Sequence, residues 1–309
     1  IKVFADAGNV TLNNVVAQNQ WDGFALGATS AAQADNLVSQ FNYNNGVTIT
    51  TSSTLTEAQW TLRNVISQGN NGLGYSFWAA STGSGTGENA TGPTLYECAS
   101  YANAGGGWVF SGESGTYWND LNAFHIYSSF DDHNGIMFYN PGSNIIITGV
   151  FAELTGRGSG TSGTGAQVGR NYATVPSLTG AGITIIGGEA GIGSIIINGG
   201  FVQNSSYQGV YVSSGVTVAQ IGLSSLSVKD NGQSAPGTYG GIDIETTTPA
   251  VLMSGVFSTN TGSSNQKYGL LSSAASQSNI YVYGGMFKGN ATAGTNVATS
   301  AFGAWQAAQ

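Results

Sequence analysis

The sequence predicts an all-β solenoid in which like strands of successive coils stack in parallel, and three observations predict it. Short β-branched or aromatic runs recur along the chain, separated by turns of Gly and Asn. No 3.6-residue periodicity extends far enough for a helix. A glycine precedes the second run of each unit, at Gly23, Gly46, Gly74, Gly107, Gly135, Gly182, Gly209, Gly241 and Gly269, with steps from 23 residues (Gly23 to Gly46) to 47 (Gly135 to Gly182). A β-sandwich would show turn signals every 8 to 12 residues or so. Here the like-to-like spacing is a whole coil of two or three strands, each coil stabilised mainly by its neighbours. About ten coils at roughly 4.8 Å each make a rod on the order of 50 Å long.

The units can be read in order. "NVTLNNVVAQNQWDGFAL", "WTLRNVISQGNNGLGYSFW" and "PTLYECASYANAGGGWVF" open the chain, and "NAFHIYSSFDDHNGIMFY" forms its middle. "SIIINGGFVQNSSYQGVYV", "VLMSGVFSTNTGSSNQKYGLL" and "SNIYVYGGMFKGNA" follow. One domain is expected over residues 1–309, interrupted by a long irregular insertion, "TGRGSGTSGTGAQVGRNYATVPSLTG", at residues 155–180. Insertions of this length within a compact fold tend to be binding loops, lids or linkers.

Composition narrows the function classes. Apolar residues at 40% are enough for a large core, although only 7% of residues are charged, so the chain is not of disordered type. Fifteen acids against seven bases give a net charge of -8, which argues against a phosphate-tracking nucleic-acid binder. Cys98 is the only cysteine, which rules out an intrachain disulfide and a cysteine-based metal site. No apolar run reaches the length of a membrane span. The start, "IKVFADAGNVTL", has neither Met nor a signal-peptide pattern and reads as a processing point.

The recurring coils, "hhhxGhFxxNxxxGhxh" with h apolar, resemble the right-handed parallel β-helix of the pectate-lyase superfamily, which includes phage tailspike depolymerases. The resemblance covers roughly Val10 to Lys288. It implies a right-handed β-helix, and a glycan as the substrate class of its lyases and hydrolases. A homotrimer and an extracellular, cell-surface or virion location are implied in the same way. The family also contains catalytically silent shafts, so fold alone does not fix activity.

Aligning coils by their glycines places Val65, Cys98, Ile126 and Val150 in one interior column, with Asn64, Glu97, His125 and Gly149 facing outward. Glu97 and His125 then sit about 4.8 Å apart on neighbouring coils. Ser129 falls on Tyr101 and Glu153, Asp131 on Asn103, and His133 on Arg157. One exterior patch is thereby expected to collect Glu97, Tyr101, His125, Asp131, Asp132, His133, Glu153 and Arg157. Both histidines of the chain are in it. Trp108 and Tyr139 are aromatic candidates for contact with sugar faces.

Two carboxylates flanking a glycosidic bond suffice for hydrolysis, so Glu97, Asp131, Asp132 and Glu153 are the candidate acids, with His125 sharing proton transfer. Tyr101, His133, Arg157, Trp108 and Tyr139 are the candidate substrate contacts. Asp131 and Asp132 also resemble the acid pair of polygalacturonase-type hydrolases, whose other motifs are absent. A lyase would use Arg157, Tyr101 or His125, with calcium as its cofactor; the hydrolase expectation needs no cofactor and no metal. The rival reading of "DDHN" is a turn stabilised by its own backbone bonds. Asp243 and Glu245, outward residues of one strand, read as isolated solvated acids. The expected function is degradation of a weakly charged or neutral polysaccharide, with a lyase or a non-catalytic glycan-binding spike as alternatives.

Overall fold

A computed structural model gives the structure of residues 1–3, 10–27, 29–51, 58–79, 88–112, 116–156, 180–187, 193–247, 249–261, 265–272 and 278–297. The chain winds between two long parallel sheets of 14 and 11 strands. All strand pairings are parallel, and strands inside the two sheets pair with their counterparts one coil before and one coil after, as Ile145–Glu153 does with Asn122–Ser129 and Ser194–Gln203. This is the predicted β-helix, and the main path of the larger sheet climbs through ten strands, one per coil. No helix among the described residues is long and apolar enough to cross a membrane.

Alternation along each strand builds the core. Val65, Cys98, Ile126 and Val150 are all fully buried, and burial pushes the Cys98 thiol up to about 12, which makes it an inert core group. In the smaller sheet, Gly106–Gly112 turns Trp108 and Phe110 inward and Val109 outward. Trp108 stacks on Tyr75 with ring centroids 3.7 Å apart, and its Nε1 donates to the Tyr127 carbonyl at 2.9 Å. The expectation that Trp108 meets substrate is therefore corrected: it is a core residue. Tyr139 faces outward from the smaller sheet, where it packs on a cluster of Leu73, Val109 and Met137, away from the patch expected on the larger sheet.

The recurring glycines have a steric cause. A Cβ on Gly46 would lie 1.9 Å from Ser67 Oγ and 2.7 Å from Asn70 Nδ2 of the next coil, and one on Gly74 would lie 2.1 Å from Ser100 Oγ. The bare Cα leaves room for an internal polar ladder. Asn42 Nδ2 donates to Asn70 Oδ1 at 2.8 Å, Asn70 Nδ2 to Asn103 Oδ1 at 2.8 Å, and Asn103 Nδ2 to Asp131 Oδ1 at 3.0 Å. Each acceptor oxygen also takes the backbone N–H of the preceding rung, so buried polar groups are paired rung by rung. Because Gly46 has no positive φ, Gly46→Ala tests the clash alone. It is expected to lower stability by roughly 2–3 kcal/mol in urea titrations, as overpacking does; an unchanged midpoint would remove this account of the repeat.

Candidate functional site

Two turns shape the larger sheet, and each is made by a residue in the left-handed region. The first column of such residues runs Asn14, Asn36, Asn64, Glu97, His125, then Gly149 and Gly199, with φ between 51° and 76°. Gly enters that region at least cost and Asn at little, whereas His pays more and Glu most. Glu97 and His125 thus occupy the two strained sites between asparagines and glycines, on neighbouring coils, and both are exposed. The His125 ring lies over Gly149, where a Cβ would meet its Cδ2 at 2.3 Å, and tilts against Phe151 with centroids 6.5 Å apart. No ion pair joins Glu97 to His125 among the described residues. His125→Gly is expected to stabilise the fold by up to about 1 kcal/mol, read as a higher urea midpoint.

Aromatic rings border these two residues on both sides. Tyr96 stacks on Phe124 at 5.0 Å just before them in the strand, and Tyr127 stacks on Phe151 at 4.6 Å just after. Phe201 adds an edge contact to Phe151 at 5.0 Å. Tyr101 and Glu153 flank Ser129 on adjacent coils in the expected register, and Gln203 Nε2 holds Glu153 Oε1 at 2.8 Å. Glu97 and Glu153 are two coils and four residues apart, on the order of 15 Å between backbones. Carboxylate pairs that cleave glycosides lie roughly 5 to 9.5 Å apart. The flank carries Glu97, His125, Tyr101 and Glu153, and its two glutamates are too far apart to act as a pair.

Asp131 is not part of that surface. It is fully buried, its Oδ1 accepting the Asn103 backbone and side-chain amides at 2.9 and 3.0 Å and its Oδ2 the Ser128 hydroxyl at 2.6 Å. The expectation of a catalytic Asp131 is corrected accordingly: the carboxylate closes the internal ladder. The backbone of Asp131 and the side chain of Asn134 are structural too. Asp131 O accepts Gly156 N at 2.9 Å, and Asn134 Oδ1 accepts Gly180 N at 2.7 Å and Ala181 N at 3.1 Å, so the turn clamps both ends of the long insertion. Asp132 and His133 are half-buried beside it, and burial lowers the His133 pKa against the opposing charge of Asp132. Arg157 and the insertion at 157–179 lie outside the described residues. No group of three His, Cys, Asp or Glu side chains able to hold a metal is found among the described residues.

A second pair of acids, one of them almost buried, stands on the smaller sheet. Strand Ile242–Ile244 turns its isoleucines inward and Asp243 outward, and Glu245 follows on the same side two residues later. Register places Tyr211 beside Asp243 and Thr184 beside Tyr211. The Tyr211 hydroxyl donates to Glu245 Oε2 at 2.9 Å; burial first, then that bond and charge, raise its pKa, so it remains a donor. Asp243 keeps only 7% of its surface, and Gln208 Nε2 reaches its Oδ2 at 3.4 Å. Burial, with the charge of Glu245 adding to it, pushes Asp243 up to about 6 against the weak Gln208 bond. Among the described residues the Thr184 hydroxyl is buried with no partner. Sequence reasoning set this pair aside as isolated, yet the glycine alignment carried the signal, since Tyr211 and Asp243 each stand two residues after a marker, Gly209 and Gly241.

No family model, curated protein or solved structure matches the chain.

Proposed function

We propose that the protein is a polysaccharide-degrading β-helix that hydrolyses glycosidic bonds with Asp243 and Glu245. The observation that carries the reading is an almost buried acid held protonated up to about pH 6, two residues along one strand face from a carboxylate oriented by a tyrosine hydroxyl. Outward residues at that spacing are about 6.6 Å apart at their Cα atoms, within reach of the two sides of one glycosidic bond. In the proposed step Asp243 gives its proton to the bridging oxygen as the bond from the anomeric carbon breaks. Glu245 takes a proton from the water whose oxygen bonds to that carbon, or attacks the carbon itself before water displaces it. Either route consumes one water and leaves one new reducing end.

The substrate in this reading is neutral or weakly charged, since a chain of net charge -8 repels a polyanion. An extracellular or virion-surface setting and a homotrimer belong to the same proposal, on the resemblance of the coils to tailspike β-helices. The test is incubation with a panel of purified polysaccharides, following viscosity and new reducing ends. Products absorbing in the ultraviolet would replace hydrolysis by lyase chemistry. The stacked rings beside Glu97 and His125 favour a second reading, a non-catalytic glycan-binding spike, because planar faces suit sugar rings. Tight retention of a glycan without new reducing ends would select it.

A further inference from the structure

A groove of about 540 Å³ opens on the outer face of the larger sheet, over the first four coils. It is on a different sheet from Asp243 and Glu245, and nothing in the hydrolytic step uses it. Its long wall is an in-register column of outward side chains, Thr11, Gln33, Thr61 and Thr94, one per coil. Thr91, from the strand Glu88–Thr91 that pairs with Thr116–Asn119, and Asp120 close the far side. Among the described residues the hydroxyls of Thr11, Thr61, Thr91 and Thr94 have no protein partner, so a ligand can exchange bonds with them without breaking the fold. Asn144 Nδ2 holds Asp120 Oδ1 at 3.0 Å and leaves Oδ2 as an acceptor.

The lining selects a ligand class. Hydroxyls and amides that both donate and accept suit a polyol. Asp120 is the only charge among the described residues of the wall, which disfavours anions, and the apolar column of Val10 and Ala32, in register with buried Trp60, suits the C–H faces of sugar rings. The column also repeats at the strand spacing of about 4.8 Å, a distance of the order of one pyranose ring, along the rod axis. We infer that the groove binds an extended, uncharged oligosaccharide laid along the rod, each ring meeting one rung of the Thr11–Thr94 column. It is a binding site and no bond is cleaved there.

The probe is an array of uncharged, acidic and amino-sugar oligosaccharides, presented to the intact protein and to the Asp243→Asn variant. The expected result is retention confined to uncharged members, equal in both proteins, and at least tenfold weaker in Thr61→Trp, whose ring fills the groove from an outward position. Gln33→Ala, which inserts nothing, serves as the second variant and is expected to weaken retention several-fold. An array without retention, retention of acidic members in preference, or retention indifferent to both groove variants overturns the inference. Loss of cleavage with retention intact bears on the Asp243–Glu245 pair alone.

Discussion

Asp131→Asn is expected to make the protein more stable at neutral pH, not to inactivate it. Burial pushes the Asp131 carboxyl from 3.8 up to about 6 in spite of the bonds from Ser128 and Asn103. An acid with a raised folded pKa binds its proton more tightly in the native state. Its contribution is therefore fully present below the ordinary value near 3.8, is lost as pH rises through about 6, and stays lost above. A difference of about two units corresponds to roughly 3 kcal/mol. An asparagine at this place continues the ladder, with its amide able to reach Ser128 Oγ as Asn103 Nδ2 reaches Ser100 Oγ at 2.9 Å. Urea titrations at pH 3 and pH 7 should show the wild type losing roughly 3 kcal/mol relative to the variant between them. Parallel pH dependence in the two proteins would contradict a buried, titrating Asp131, and any loss of glycan turnover in the variant would return this residue to the chemistry.

The misplacement of Asp131 in the sequence has a definite geometric origin. The alignment that set it beside Asn103 is correct, as the bonds between them show. What alternation could not carry was the turn: Phe130 stands at φ 57° between Ser129 and Asp131, and a left-handed residue resets which face the next side chain takes. Ser128 and Asp131, three apart, both point inward and bond to each other. From His125 to Ser128 the count by twos holds, and the register aligns Cys98, Ile126 and Val150, so these were legible as core and Glu97 and His125 as surface, although the left-handed residue before each core position breaks the alternation with Leu95 and Ala123. The fold was legible for a stronger reason. A Cβ at Gly46 or Gly74 would strike the serine and asparagine of the next rung, so a glycine repeats wherever the ladder does. Trp108 was not legible, because an aromatic residue in a short strand fits either face until its neighbours Tyr75 and Phe110 fix the parity. Asp243 and Glu245 were seen but read one coil at a time, and their chemistry depends on Tyr211 and Gln208 from the coil before.

Asp243→Asn carries the largest expected effect on activity. Loss of a positioned general acid lowers turnover by about 100- to 10,000-fold, while the asparagine keeps the volume of the side chain and a partner for Gln208. Wild-type cleavage should decline as pH rises through about 6, where Asp243 gives up its proton, and the residual rate of the variant should not follow that limb. The same burial that raises the acid works against its charged form, so the variant should also unfold at higher urea than the wild type at pH 7. That combination separates chemistry from folding: a catalytic acid predicts lower turnover with higher stability, whereas a merely structural residue would lose both together. Glu245→Gln should cost at least as much turnover, and Tyr211→Phe less, since the phenol orients the carboxylate without touching the reacting atoms. Turnover on a confirmed substrate that is unchanged in Asp243→Asn would leave the aromatic flank around His125 as a recognition surface without a catalytic partner.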